Sequence, residues 1–124
     1  MKIAILCLFV TIGLASAALN KSTATKILAF VNNPIQLNNG IDGAIRNALG
    51  EKKKSGELPV AGYSIVKFSA PTCGFSNGRS SCTASTTDPL TGVTGTGKGL
   101  QIGTALKASL ISLFDNIKAI AQKV

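Results

Sequence analysis

The feature that most restricts the fold is the dipeptide Asn77-Gly78, set midway between Cys73 and Cys82. Asn-Gly is the strongest short-range signal for a two-residue β-hairpin, because both central residues of a type I′ turn take positive φ. Cys73 lies four residues before Asn77 and Cys82 four after Gly78, so the two face each other across the ladder. Ser76 and Arg79 then flank the turn as a hydrogen-bonded pair. Alternation makes Cys73/Cys82 a non-hydrogen-bonded pair, whose Cα atoms approach to about 4.5 Å. That is the short end of disulfide geometry. The spacing predicts a Cys73–Cys82 bridge, and closing so short a ring stabilises by on the order of 2–3 kcal/mol. With eight residues between the thiols and no His in the chain, a metal-binding dithiol is a poor alternative.

Tyr63–Phe68 is aromatic and β-branched enough to be the incoming strand, and Thr83–Thr87 the returning one. In this register Pro71 opposes Ala84. Proline lacks an N–H for the ladder, so a sheet edge or a bulge is expected there. A third strand is expected near Leu90–Thr94.

A disulfide needs an oxidising compartment, and the N-terminus offers a route to one. Lys2, the apolar run Ile3–Ile12 (interrupted only by Thr11) and the small-x-small triplet Ala15-Ser16-Ala17 read as a secretory leader. The run breaks at Gly13 and Ser16, short of the about 20 apolar residues a membrane span requires. Residues 1–17 are therefore assigned to the leader and 18–124 to a single small secreted domain; a cut after Ala18 also fits. Cleavage removes Cys7 and leaves an even pair of cysteines. It also removes Lys2, which lowers the net charge of the 124-residue chain from +8 to +7. Asn20-Lys21-Ser22 is a glycosylation sequon beside the cut.

Three helices are expected. Ala24, Ile27, Leu28 and Val31 recur at helical spacing within Thr23–Asn32, and Pro34 forbids continuation. Ile41, Ala44, Ile45, Ala48 and Leu49 repeat the pattern after Asn39 as N-cap, with Gly50 and Lys52-Lys53-Lys54 as C-terminal punctuation. Gly43 weakens this second helix by about 1 kcal/mol relative to Ala. From Thr104 to Val124, Leu106, Leu110, Leu113, Phe114, Ile117, Ile120, Ala121 and Val124 share an arc of about 100°. Ile111 alone of the large apolar residues lies on the polar side. The predicted fold class is α+β: two short N-terminal helices, a disulfide-pinned β-hairpin, a Gly/Thr-rich loop, and a long amphipathic helix packed on the sheet.

Gly92–Gly99 nearly spells a phosphate-binding loop, but Gly99 stands where a Ser or Thr would hold Mg²⁺. It reads as a flexible connection to the last helix. Without His, neither a Ser-His-Asp nor a Cys-His constellation can be assembled. The five carboxylates (Asp42, Glu51, Glu57, Asp88, Asp115) are scattered among turns and helix surfaces. No enzyme, cofactor or metal site is expected. Basic residues are dispersed and aromatics make up 5% of the chain, so nucleic acid is not the expected partner. Thr86, Thr87, Thr91, Thr94 and Thr96 suggest an ice-binding array, but no internal repeat sets them on one face.

Two readings of function remain. One is a cationic, host-defence-like effector that gathers on anionic membranes or acidic glycans, with Lys52, Lys53, Lys54, Lys107, Lys118 and Lys123 as candidate contacts. The other is a non-catalytic module that carries an apolar ligand between helices and sheet or self-associates; 45% hydrophobic residues beside 15% charged ones motivate it. One basic face favours the first and an even scatter the second. Lys52-Lys53-Lys54 also offers a precursor-cleavage site.

Overall fold

The computed structural model describes residues 19–51 and 55–124; the proposed leader and Lys52–Lys54 lie outside them. Helix α1 spans Lys21–Val31, with the Asn20 side chain accepting from the Thr23 amide at 2.8 Å. Helix α2 spans Pro34–Gly50, so it is neither short nor opened by Asn39. Its N-cap is Asn33, whose side chain accepts from the Gln36 amide, and Pro34 occupies the first turn. A proline that ends one helix is also pre-set to begin the next, since its missing N–H needs no partner there.

The sheet has four antiparallel strands in the order β1 (Gly56–Pro59), β2 (Ile65–Ser76), β3 (Arg79–Thr87) and β4 (Thr94–Gly99). The hairpin register is the one the Asn-Gly turn dictates: Ser76 faces Arg79 and Cys73 faces Cys82. Asn77 and Gly78 both have positive φ, 52° and 75°. The Cys73–Cys82 disulfide is formed, with Cα atoms 4.0 Å apart. Between the Ser69/Ser85 and Thr72/Thr83 pairs the register shifts, leaving Ala70 and Pro71 opposite Ala84. This is the expected bulge, and it lies just beyond Phe68, where pairing with β1 ends.

Two expectations fail in the same place. The third strand does not occupy Leu90–Thr94; it begins at Thr94 and runs to Gly99, through the segment read as a flexible Gly/Thr loop. The glycines are there for a tertiary reason. Gly95, Gly97 and Gly99 face helix α3 (Ile102–Ala121), and a Cβ on Gly97 would lie 2.2 Å from the Ser109 nitrogen and 2.5 Å from the Ala108 carbonyl carbon. Alternate glycines let the helix backbone descend onto the strand, with small Ala105, Ala108 and Ser109 at the contact.

Helix α3 supplies the centre of the core. Leu106, Leu110, Leu113, Phe114 and Ile117 are buried against Val66, Phe68 and Ala84 of the sheet and Phe30 and Ile41 of α1 and α2. Val124, expected on the apolar arc, lies past the helix end and is exposed, because α3 stops at Ala121. Thr86 points inward from β3; its hydroxyl and that of Ser109 lie 2.8 Å apart, and Ser109 donates onward to the Gly95 carbonyl at 3.1 Å. Polar atoms at the close approach thereby find partners.

Candidate functional site

The hairpin is longer than the layer that covers it. Helix α3 runs antiparallel to β4: Thr104 sits by Gly99 and Asn116 donates to the Thr94 carbonyl. Cys82 pairs with Gly99 at the last position of β4, so residues 79–81 of β3 and their partners 74–76 of β2 extend beyond both β4 and the start of α3. On the face that would meet a helix, Phe75 is 77% exposed. Across the ladder from it, Ser80 donates to the Leu100 carbonyl at 2.7 Å, which brings in Leu100 (67% exposed) and the first turn of α3 at Ile102.

Four cations share this end of the molecule. Arg79 leaves the turn, Lys98 lies beside Thr83, and Arg46 and Lys107 line a shallow depression with Gln101, Gly103 and Thr104. Leu49, near the end of α2, approaches Gly103 from the other side. Asp42 forms an ion pair with Lys107 at 3.5 Å, both side chains about half exposed, and Glu51 caps α2.

The lysines singled out in the sequence do not form one cluster. Lys107 and Lys118 are eleven residues apart on the same stripe of α3, which is three turns or about 16 Å. Lys123 is exposed beyond the helix end. Lys21 and Lys26 lie on α1, and Lys67 projects from the sheet face opposite the helices. The basic side chains thus spread over every layer, and at the hairpin end they lie near exposed Phe75, Leu100 and Ile102. Asn20 is exposed, and its carbonyl oxygen is engaged as the α1 cap. The tribasic segment falls between Glu51 and Ser55, outside the described residues.

At the opposite end of the sheet a buried polar cluster closes the β3–β4 connection. Asp88 is fully buried; one carboxylate oxygen accepts from the Tyr63 hydroxyl at 2.6 Å and from the Thr91 hydroxyl at 2.7 Å, while the other accepts from the Leu90 amide. The Tyr63 ring packs 5.2 Å from Phe114 and 5.6 Å from Phe30, centre to centre. Burial raises the Tyr63 pKa far above its ordinary value, reinforced by the hydrogen bond to Asp88 and then by that carboxylate's charge. The phenol is a structural donor. Sequence reading missed this cluster, although Asp88-Pro89 did mark the turn.

Between helices and sheet the buried side chains form one apolar core. Two surface grooves lie on either side of the Ala61-Gly62 turn. Gly92–Gly99 is mostly an antiparallel edge strand, which removes the parallel-strand context a phosphate-binding loop needs. Of the five threonines considered together, Thr86 and Thr91 are buried whereas Thr94 and Thr96 face solvent. Among the described residues no group of three or more His, Cys, Asp or Glu could hold a metal ion, and no helix is long and apolar enough to cross a membrane. No protein family, no curated protein and no solved structure matches the chain.

Proposed function

We propose that this protein is a secreted, non-enzymatic, basic effector that binds anionic membrane surfaces in its folded form. The observation that supports it is the conjunction at the hairpin end of exposed Phe75, Leu100 and Ile102 with Arg46, Arg79, Lys98 and Lys107. Cations draw a protein to anionic headgroups and apolar groups hold it there; each alone binds weakly. The apolar arc of α3 takes no part, because it is committed to the core.

The test is co-sedimentation of the mature, disulfide-bonded protein with phosphatidylglycerol-containing and with pure phosphatidylcholine vesicles. Selective binding to the former, weakened by raising salt from about 0.05 to 0.5 M as screening shortens, is expected. Equal indifference to both at low salt rejects the reading. A self-associating module is the second reading, supported by the spread of the remaining basic side chains and the same exposed apolar groups; it predicts a size that grows with concentration in the absence of lipid.

A further inference from the structure

We infer that the overhanging end of the β2–β3 hairpin is a rigid insertion wedge, and that Phe75 is the side chain it delivers into the headgroup–acyl boundary of an anionic bilayer. This inference rests on the membrane-binding reading above and names the element that performs it.

The overhang has the construction of a wedge. An isolated two-stranded hairpin is marginal in water, and pairs 74–76 with 79–81 have neither a third strand nor a helix to hold them. The Ser80–Leu100 hydrogen bond ties one strand of the overhang down, and two further devices compensate. The Asn77-Gly78 turn has the positive φ values that match the strands' own twist. The Cys73–Cys82 disulfide closes the ladder where cover from β4 ends, so the exposed pairs are anchored covalently at their root. A large apolar side chain on so constrained a platform loses little further freedom on insertion, which is the entropic advantage of preorganisation.

The side chains fit the headgroup region. Phe75 offers an aromatic ring at 77% exposure, and Leu100 and Ile102 broaden the apolar contact around Ser80. Arg79 at the turn and Lys98 on the neighbouring strand project from the sheet face opposite Phe75, while Arg46 and Lys107 lie by the first turn of α3, so cations stand on both sides of an inserted tip. Against these four cations stand Asp42, already paired with Lys107, and Glu51. The same excess of positive charge disfavours a second copy of this chain as the occupant, since two such ends repel. An anionic lipid surface is the complementary partner.

The chain contains no Trp, so Phe75→Trp introduces a unique fluorophore at the wedge. The experiment records its emission, and its quenching by brominated acyl chains, alongside co-sedimentation on phosphatidylglycerol/phosphatidylcholine vesicles. A blue shift and acyl-chain quenching at low salt are expected, both reversed at about 0.5 M salt. Ile35→Trp, exposed at the start of α2 beside the Ala61-Gly62 turn and away from the hairpin tip, serves as the control and should remain unshifted and unquenched. Phe75→Ala should lower vesicle affinity by roughly tenfold with unchanged circular dichroism, as expected for losing one buried aromatic contact. Vesicle binding with an unshifted, unquenched indole at position 75 overturns the wedge and leaves the membrane-binding reading intact. Absence of sedimentation overturns both. A blue shift that grows with protein concentration without lipid overturns the wedge in favour of self-association.

Discussion

Strands β2 and β3 form one ladder, but its two halves are held by different physics. From Lys67/Thr87 to the bulge, the ladder lies under α3; Val66, Phe68, Ala84 and Thr86 are buried and β4 flanks it. From Thr72/Thr83 outward, every described side chain except the buried Cys82 meets solvent, and the pairs depend increasingly on turn chemistry and a covalent bond. Packing stabilises by excluding water, whereas a crosslink acts chiefly by narrowing the unfolded ensemble. The first half needs shape complementarity. The second needs only its ends joined, which leaves its side chains free for another task.

The largest expected effect breaks the packed half. Gly97→Ala places a methyl group where only 2.2 Å separates it from the Ser109 nitrogen, and helix backbone yields far less readily than a side-chain tip. Helix α3 must lift or tilt, disturbing the Thr86–Ser109 hydrogen bond and the Leu110 and Leu113 contacts. A loss of about 3 kcal/mol is expected from overpacking of this kind, read from the midpoint of urea unfolding. Gly43→Ala is the matched control: nothing lies within 4 Å of its added methyl, and the change should stabilise α2 by about 1 kcal/mol from helix propensity.

Removing the crosslink breaks the other half. Cys73→Ser with Cys82→Ser should cost on the order of 2–3 kcal/mol globally. Its local signature distinguishes it from the glycine variant. Amides of the hydrogen-bonded pairs Gly74/Ser81 and Ser76/Arg79 should exchange with solvent far faster, while those of residues 84–86 beneath α3 keep their protection relative to global unfolding. Equal acceleration along the whole ladder would show that the two halves unfold as one.

A smaller effect sits at the packed half's far end. Tyr63 retains its proton in the folded state well above the pH at which an unfolded tyrosine loses it. Its folded pKa is raised, so its contribution is fully present below the unfolded value near 10 and lost as pH climbs above it. Unfolding followed from pH 8 to 11 should show a decline beginning at about pH 10. Tyr63→Phe should weaken that decline and, at neutral pH, cost about 1–3 kcal/mol by leaving Asp88 one donor short.

The contrast also explains what was legible in the sequence. The hairpin register, the disulfide and the buried arc of α3 follow from spacing within a single element, through turn chemistry or helical periodicity. Strand β4 was not legible, because its glycines answer to a helix backbone that arrives only after folding; alone, Thr-Gly-Thr-Gly-Lys-Gly reads as loop. Helix α2 began early because Asn33-Pro34 is both a stop and a start, and only the stop was read. The short β1, four residues ending in Pro59, carries too little pattern to stand out. The candidate site was the least legible part. The lysines are visible as charges, but Phe75 becomes a protrusion only because α3 begins at Ile102 and not one turn earlier.

The smallest expected effect on stability is therefore the most informative about role. Phe75→Ala removes a large aromatic side chain, a change that in the packed half would cost about 3–5 kcal/mol. Phe114→Ala, at the core's aromatic cluster, should fall in that range. Phe75 has most of its surface in water already and touches the fold chiefly through its own backbone ladder. Its truncation should shift stability by about 0.5 kcal/mol or less, the usual scale for solvent-facing sites. A cost comparable to that of Phe114 would mean that the ring is folded back against the core in solution, and the overhang would then be an extension of the packed half. Near-neutrality in unfolding combined with weaker vesicle binding separates the two halves of the ladder by purpose, one maintaining the structure and the other presenting a side chain to a surface.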